Sequence, residues 1–164
     1  MISLAKYFLA LPVVDHLLIG SILAFDLFAA PRLGMWMYSL FSLPGTIAHE
    51  LLHWFVARVL GAQPSFPSII PKRDGDVWRL GSVQFTPTLL NRIPIALAPF
   101  LLLPVGIWYS VVVMHPATGW WYLAHGWVAS SFLIASLPSR QDWIVALPAI
   151  VVVIVLLYLF WGRL

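Results

Sequence analysis

The chain has 164 residues, of which 62% are hydrophobic and 9% are Asp, Glu, Lys or Arg, and its formal net charge is +3. A soluble globular domain averages about 25% charged residues, so this composition excludes an ordinary soluble enzyme and predicts an integral membrane protein. Cysteine is absent, which excludes disulfides and thiolate metal sites. The modest positive charge indicates a role in orienting the chain in the membrane and not in binding nucleic acid.

Five apolar segments are long enough to be transmembrane helices, since a span needs about 20 mostly apolar residues. In chain order they cover residues 12–30, 33–60, 93–114, 120–137 and 143–161. The first is the least apolar, so four or six spans are the alternative counts. We expect this segment to be retained as a span, because Asp15, His16 and Asp26 interrupt it in a way that is not typical of a cleaved signal peptide. The predicted fold is an all-α integral membrane protein with about five transmembrane helices, forming a single domain over residues 1–164.

Turn-forming and helix-breaking residues mark two further places in the chain. The polar stretch between the second and third segments, GAQPSFPSIIPKRDGDVWRLGSVQFTP, contains an Asp74-Gly75 turn signal between strand-like flanks. It predicts a short β-hairpin at the membrane surface. Pro44 and Gly45 lie inside the second segment, where they either kink the helix and loosen its packing or are simply tolerated, as in many membrane helices.

Basic residues are unevenly distributed between the two sides that five alternating spans create. One side has only Arg32 and Arg163, and the other has seven: Lys6, Arg58, Lys72, Arg73, Arg79, Arg92 and Arg140. Cytoplasmic loops carry the excess of Lys and Arg. The count therefore predicts a cytoplasmic N-terminus, a cytoplasmic loop over residues 63–91 and a C-terminus outside.

The sequence HELLH lies inside the second segment, with His49, Glu50 and His53 as its polar residues. The histidines are four residues apart, so on a helix both imidazoles project from one face and can bind one metal ion. Zinc lowers the pKa of a bound water to about 7, and a neighbouring carboxylate can take its proton. The alternative is a hydrogen-bonded histidine pair within a helix bundle. That alternative leaves the chain's single glutamate unexplained, although ionisable groups in an apolar span are costly and usually functional.

A catalytic zinc site usually has three protein ligands and one open position, so a third ligand is needed. The extended motif HExxHxxGxxH fails, because Val56 and Val59 occupy its Gly and His positions. The motif lies near Arg58, in the cytoplasmic half of its span. This depth removes three candidates that belong to the opposite half: Asp26, His115 and His125. The candidates that stay open are Asp15, His16, Asp74, Asp76 and Asp142.

Asp142 is the preferred third ligand. It follows Pro138, which ends the fourth segment and lets the chain turn back at the depth of the motif. Ser139, three residues before Asp142, resembles the start of a capping box in which the acid only caps the fifth helix. The two roles are compatible if one carboxylate oxygen binds metal. The other four candidates fit a solvated turn or the start of the first span.

At these residues the chain resembles the site-2 protease family of intramembrane zinc metalloproteases. The matching stretches are AHELLHWFVARVLGA, the hairpin-like loop, NRIPIALAPFLLLP and a later Asp after a Pro, over roughly residues 40–145. Family members typically carry AHELGH, a β segment at the membrane surface, an Ala/Gly/Pro-rich next helix, and an Asp-Gly preceded by Asn and Pro. Here LPSRQDW has the Pro and the Asp but neither the Asn nor the Gly, so the chain resembles a divergent and minimal member.

The resemblance implies one zinc ion held by His49, His53 and Asp142. It also implies peptide hydrolysis in which Glu50 takes a proton from water and later protonates the leaving amine. The expected substrate is an extended membrane protein or peptide, and the expected location is the cytoplasmic half of the lipid bilayer in a prokaryotic cell membrane. The loop over residues 66–86 either offers a strand edge to that substrate or is a passive connection. Any regulation is expected to come from partner subunits or from substrate access.

Three other interpretations compete with this one. An inactive relative would use zinc to stabilise its fold within a larger membrane complex, with a side chain such as His16 closing the fourth position. A transporter is disfavoured, because the sequence has no internal repeat and few polar groups in the third and fifth segments. A serine hydrolase is disfavoured, because no GxSxG elbow is present.

Overall fold

The computed structural model describes residues 4–75 and 77–161. Asp76 and the side chain of Asp74, both candidate ligands, and Arg163, one of the counted charges, lie outside this description. The described residues are mostly helical, as predicted. Their elements are α1 (Leu4–Leu9), α2 (Val13–Ala24), α3 (Met35–Phe41), α4 (Leu43–Val59), β1 (Lys72–Asp74), β2 (Val77–Arg79), α5 (Arg92–Ala96), α6 (Leu102–Tyr109), α7 (Gly119–Ala135) and α8 (Arg140–Trp161).

Two helical stretches among the described residues are long and apolar enough to cross a membrane. Val13–Leu33 has a mean hydropathy of 1.8, and Gly119–Leu159, which joins α7 to most of α8, has a mean hydropathy of 2.6. Ala98–Met114 is apolar but shorter. The structure thus supports membrane-capable helices near the start and in the last third of the chain, which is a coarser result than the five predicted spans.

The second and third predicted segments are interrupted helices. In the second, α3 ends at Phe41 and α4 begins at Leu43, with Ser42 between them at φ −85° and ψ 0°. Pro44 falls in the first turn of α4, where its missing N–H leaves no helical hydrogen bond unmade. In the third segment, α5 is followed by a 3₁₀ turn, Ala98–Leu101, that contains Pro99. Proline therefore sets where these segments break.

The predicted hairpin is present. β1 and β2 pair antiparallel with Lys72 opposite Arg79 and Arg73 opposite Trp78. The pairing continues away from the turn through a bridge between Ser68 and Ser82. The Ser65 N–H also donates to the Gln84 carbonyl at 2.8 Å. Asp74 ends β1 and pairs with Val77, so the turn begins at Gly75, one residue later than the Asp74-Gly75 pair predicts. Gly75 has a positive φ of 61°, which glycine adopts readily.

α7 packs against α2, α4 and α6. Contacts between α2 and α7 advance together along both helices, from Tyr122 and Asp15 to Ser130 and Ile19. α2 and α7 therefore run in the same direction. The alternation of five spans makes the first and fourth antiparallel, so this part of the predicted arrangement is wrong.

α4 also runs parallel to α7, as the alternation predicts. Trp127 Nε1 donates to the Phe41 carbonyl at 2.6 Å, and about two turns further along both helices His49 contacts the Ala135 carbonyl. α2 and α4 thus lie on α7 with the same polarity. The short stretch over residues 25–41 must return the chain between them.

The direction of α2 corrects the predicted position of the N-terminal charges. α1 packs against α6 and the turn that ends at Met114, and the ring of Phe8 packs on the ring of His16, the neighbour of Asp15, with centroids 5.4 Å apart. Lys6 therefore lies at the opposite end of α7 from the hairpin. Tyr122 and Ala135, which mark these ends, are 13 residues apart, or about 20 Å at 1.5 Å per residue. The predicted grouping of Lys6 with the loop charges is wrong.

Gly45 brings α4 and α7 into close contact. A Cβ at this position would lie 2.3 Å from the Ser131 carbonyl oxygen and 2.9 Å from the Ala135 Cβ. Real Cβ atoms do not approach neighbours this closely, so only glycine fits. The predicted loosening of packing at Pro44 and Gly45 is therefore wrong, because Gly45 permits tighter packing.

Candidate metal centre

α4 places His49 and His53 on one face, because 3.6 residues per turn bring positions four apart into line. Their Nε2 atoms are 3.1 Å apart, and the two rings meet edge to face with centroids 4.8 Å apart. His53 is buried and His49 is partly buried. The four-residue spacing in the sequence therefore becomes two imidazole nitrogens that face one point.

The other ring nitrogen of each histidine binds a backbone carbonyl. His49 Nδ1 donates to the Ala135 oxygen and His53 Nδ1 donates to the Ile95 oxygen, each at 2.8 Å. A carbonyl oxygen can only accept, so Nδ1 carries the hydrogen and each neutral ring presents an Nε2 lone pair. Metal-binding histidines almost always have their second nitrogen held in this way, which orients the ring.

Asp142 brings a carboxylate to the same point from the first turn of α8. Its Oδ1 lies 3.0 Å from His53 Nε2, and its Oδ2 lies 3.3 Å from His49 Nε2. Oδ2 also accepts a hydrogen bond from the Ser139 N–H at 2.6 Å, and the Asp142 N–H donates to Ser139 Oγ at 3.3 Å. The capping box and the inward-facing carboxylate therefore coexist in one side chain.

The separations among these atoms fit a small divalent cation. Two ligand atoms about 2.0–2.1 Å from a tetrahedral zinc are about 3.3–3.4 Å apart. The three contacts among His49, His53 and Asp142 measure 3.1, 3.0 and 3.3 Å. One ligand atom from each residue lies within 4.8 Å of the others. Two facing lone pairs and a carboxylate need a proton or a cation between them, so this group could hold a metal ion.

Glu50 is buried beside this group, beneath the loop that follows β2. A Cβ at Gly81 would lie 2.6 Å from Glu50 Cγ and 2.7 Å from Glu50 Oε1, so the loop backbone passes directly over the carboxylate. Glu50 is not one of the three residues that offer ligand atoms. Glu50 therefore lies beside the possible ligand atoms of His49, His53 and Asp142 but is not one of the ligands itself.

A cavity of about 920 Å³ opens on the metal-facing atoms. One wall is a face of α3 and α4, another is the loop over residues 80–85, and a third is the start of α8. Its volume falls within the range of about 300–1,000 Å³ that is usual for ligand pockets. The cavity therefore has room for a bound molecule next to His49, Glu50 and His53.

Two of the open ligand candidates lie at the other end of the molecule. Asp15 accepts hydrogen bonds from the Tyr122 hydroxyl and from His115 Nδ1, each at 2.6 Å. His16, the next residue on α2, has its Nδ1 3.2 Å from the Pro12 carbonyl. Their placement beside the motif, as the predicted depth required, is wrong, because α2 runs in the opposite direction from the one assumed.

The predicted depth places Asp26 in the half of the membrane opposite the HELLH motif, but in the structure Asp26 lies close to the motif's cavity. It is not part of the ligand group, but it lines the same cavity. His125, also excluded by depth, is hydrogen-bonded through Nδ1 to the Tyr109 hydroxyl at 2.6 Å, away from the site. Position along a predicted span was therefore a poor guide to which side chains share a cavity.

Three contributions to the site could not have been read from the sequence. The carbonyls of Ala135 and Ile95 anchor the histidines, and backbone carbonyls have no residue signature. Gly81 leaves a weak signal only, as a glycine within a strand-like stretch, which often marks close approach of another group.

A scan against protein-family models, a search of curated proteins and a search of solved structures each returned no match. What this site does is inferred from its own side chains. Those side chains are two anchored histidines, one capped aspartate and one buried glutamate that share a cavity.

Proposed function

We propose that the chain is an intramembrane zinc metalloprotease of the site-2 protease type. It would hydrolyse peptide bonds of membrane-embedded or membrane-associated polypeptides near the cytoplasmic face of a prokaryotic cell membrane. The observation that carries the proposal is the convergence of His49, His53 and Asp142 beside Glu50 in one cavity. The same four residues carry the sequence resemblance to this family.

The apolar helices support a membrane location for the site. In the last two turns of α8, Leu157 and Tyr158 are 65% and 79% exposed, and such apolar surface is stable against lipid but costly in water. We propose that the apolar segments form a membrane-embedded bundle in which residues 25–41 return the chain between α2 and α4. Six basic residues belong to elements at the metal end and favour its cytoplasmic placement: Arg58, Lys72, Arg73, Arg79, Arg92 and Arg140.

His49, His53 and Asp142 would hold the zinc at the wall of the cavity. A zinc ion bound there would supply Lewis acidity and lower the pKa of a bound water to about 7. Two imidazoles and one carboxylate are a donor set that suits zinc. The carbonyls of Ala135 and Ile95 keep both rings oriented towards the ion.

Glu50 would act as general base and then as general acid. It follows His49 directly, so its side chain points about 100° around α4 from that ligand. From there it can take a proton from the attacking water and donate it to the leaving amine nitrogen. Gly81 would hold the carboxylate in place for both transfers, because its backbone passes over Glu50.

The loop beside the cavity would keep the substrate extended. A helical substrate hides its carbonyls in internal hydrogen bonds, so it must unwind before hydrolysis. Residues 80–85 line the cavity, and Ser82 and Gln84 already pair as strand residues with the first half of the loop. A polypeptide in the cavity would run beside this segment and could bind its backbone as an added strand.

Purified wild-type protein and Glu50→Gln in liposomes test the proposal. We expect both to bind one zinc ion, and we expect wild type to cleave hydrophobic membrane peptides about 10²–10⁴-fold faster. The control His49→Ala should lose zinc and activity together. Equal cleavage by wild type and Glu50→Gln would contradict the hydrolytic mechanism. Wild-type protein that binds zinc but cleaves nothing in a broad panel would identify an inactive membrane scaffold.

A further inference from the structure

Asp26 is a buried acid that the proposed hydrolysis does not use. It is 3% exposed and lines the cavity that contains the metal-facing atoms. Its Oδ1 is fully buried and has no hydrogen-bond partner among the described residues. A polar group left in this state costs free energy, and an ionised carboxylate in an apolar interior costs much more. Asp26 therefore needs a hydrogen-bond donor or a positive charge within the cavity.

Asp15 shows how the same helix satisfies a buried aspartate. Asp15 is 2% exposed, and its two carboxylate oxygens bind the Tyr122 hydroxyl and His115 Nδ1. Asp26 lies eleven residues later, in the turn Phe25–Ala29 that extends α2, and has no such arrangement. The difference indicates that the partner of Asp26 comes from outside the described chain.

The position of Asp26 along the cavity can be read from its neighbours. The ring of Phe25 packs on the ring of Phe41, with centroids 4.8 Å apart, which places Asp26 near the start of α4. Ser42, next to Phe41, lines the cavity seven residues before His49. At 1.5 Å per residue this is about 10 Å along α4, or about three residues of an extended polypeptide.

The lining near Asp26 is polar but uncharged. Tyr38, Ser42 and Thr46 line the same cavity on the wall formed by α3 and α4. The two cationic side chains of the lining, Arg79 and Arg140, belong to β2 and to the start of α8, at the metal end. A carboxylate at the far end of a largely apolar cavity matches a long side chain with an aliphatic stem and a cationic tip.

We propose that Asp26 forms a specificity subsite that binds a Lys or Arg side chain of the bound polypeptide, about three residues from the scissile bond. The inference rests on the proposed function to the extent that the same cavity must receive an extended polypeptide. It needs no hydrolysis. An ion pair in a desolvated cavity is selective, because an unmatched side chain leaves the buried charge without a partner.

The test measures binding by photo-crosslinking to Glu50→Gln protein in liposomes. The probes are otherwise identical hydrophobic peptides that carry a single Lys, norleucine or Glu at each position in turn. We expect one position at which Lys binds at least about tenfold more tightly than norleucine, a difference of about 1.4 kcal/mol. Adding Asp26→Asn should abolish this preference while zinc content stays unchanged. Asp15→Asn, the matched buried aspartate on α2, should keep it.

Each outcome decides the proposal. Equal binding of Lys and norleucine peptides at every position would overturn the subsite proposal. This comparison needs no Asp26 variant, so it stays decisive even if Asp26→Asn folds poorly. A Lys preference that survives in Asp26→Asn would also overturn it. A preference lost only with Asp26, in a protein that cleaves nothing, would uphold the subsite and reject the hydrolytic function. Efficient cleavage without any preference for a basic side chain would uphold the hydrolytic function and reject the subsite.

Discussion

Asp142 combines two roles in one side chain. Its Oδ2 accepts the Ser139 N–H that begins α8, while Oδ1 and Oδ2 face the Nε2 atoms of His53 and His49. The cap restricts the carboxylate before any ion binds, so less conformational entropy is lost when a ligand is added. The capping interaction therefore also orients the Asp142 carboxylate towards the two histidines.

Replacing Asp142 by Asn should weaken zinc binding by at least about tenfold while α8 remains folded. The amide oxygen can still accept the Ser139 N–H, but the negative charge that faces the two histidines is lost. Competition with a zinc-binding dye measures the affinity, and circular dichroism measures the helix content. Ser139→Ala is the matched control, because it removes the weaker half of the cap and should change zinc affinity little. Unchanged affinity in Asp142→Asn would remove Asp142 from the site.

Gly81 determines how much space Glu50 has. A methyl group at this position would approach Glu50 Cγ to 2.6 Å, whereas carbon atoms pack at about 3.5–4.0 Å. The end of the glutamate side chain is flexible and can move, whereas the loop backbone is held by its strand pairing. Gly81→Ala should therefore displace the carboxylate and leave the fold intact.

We expect Gly81→Ala to retain its zinc and to lose about 10²-fold in kcat, since a misplacement of about 1 Å can cost this much. Zinc content, thermal unfolding and peptide cleavage in liposomes are the measurements. Gly20→Ala is the control, because nothing lies within 4 Å of a Cβ at that position. A fully active Gly81→Ala would show that the loop does not position Glu50.

Between elements, the contact of α4 with α7 sets the geometry of the metal-facing group. At Gly45 the two backbones approach so closely that a Cβ would lie 2.3 Å from the Ser131 carbonyl oxygen. The Trp127 indole binds the Phe41 carbonyl on one side of this contact, and the His49 ring binds the Ala135 carbonyl on the other. A shift of α4 along α7 would therefore change the orientation of His49 at the same time.

Adding one methyl group at Gly45 should separate the helices. Overpacking of this kind costs about 1–3 kcal/mol of the free energy of unfolding, so Gly45→Ala should lower the unfolding temperature and weaken zinc binding together. Gly106→Ala is the matched control, because a Cβ there meets the Leu133 side chain at 3.0 Å, and that side chain can move. If Gly45→Ala unfolds at the same temperature as wild type, the two helices do not pack as closely as described.

Over the whole molecule, two groups of interacting ionisable side chains lie at opposite ends of α7. At one end lie the metal-facing residues and the hairpin, and at the other Asp15 binds His115 and Tyr122. One small core cluster, with Ile95 and Ala57, lies at the first end, and the other, with Ile19, Met114 and Ala129, packs along the middle of α7. Exposed apolar side chains along α8 suit a lipid environment between the two ends.

The charge distribution predicts which end faces the cytoplasm. We expect a cysteine at Ser65, in the hairpin loop, to be protected from a membrane-impermeant thiol reagent added to intact cells. A cysteine at Thr118, in the connection after His115, should be labelled, because both positions are exposed and lie at opposite ends. The chain has no cysteine of its own, so the labelling has no background within the protein. Labelling at Ser65 with protection at Thr118 would reverse the orientation.

The sequence by itself determined the properties that depend on near neighbours in the chain. Composition and long apolar runs predicted a mostly helical chain with membrane-capable helices, because each helix forms its own backbone hydrogen bonds. The four-residue spacing of His49 and His53 predicted that they share a face, and Asp74-Gly75 predicted the hairpin turn. These features depend on local dihedral angles and side-chain direction, which a few consecutive residues specify.

Only the tertiary structure decided the properties that depend on distant segments. The sequence placed Asp142 first among the ligand candidates but left others open, and the packing of α8 brought this carboxylate to the histidines from 89 positions after His53. The direction of α2, the cover of Gly81 over Glu50 and the presence of Asp26 in the cavity were likewise not predictable. Each is set by which helix faces bury one another, and many pairings of similarly apolar faces satisfy the same sequence pattern.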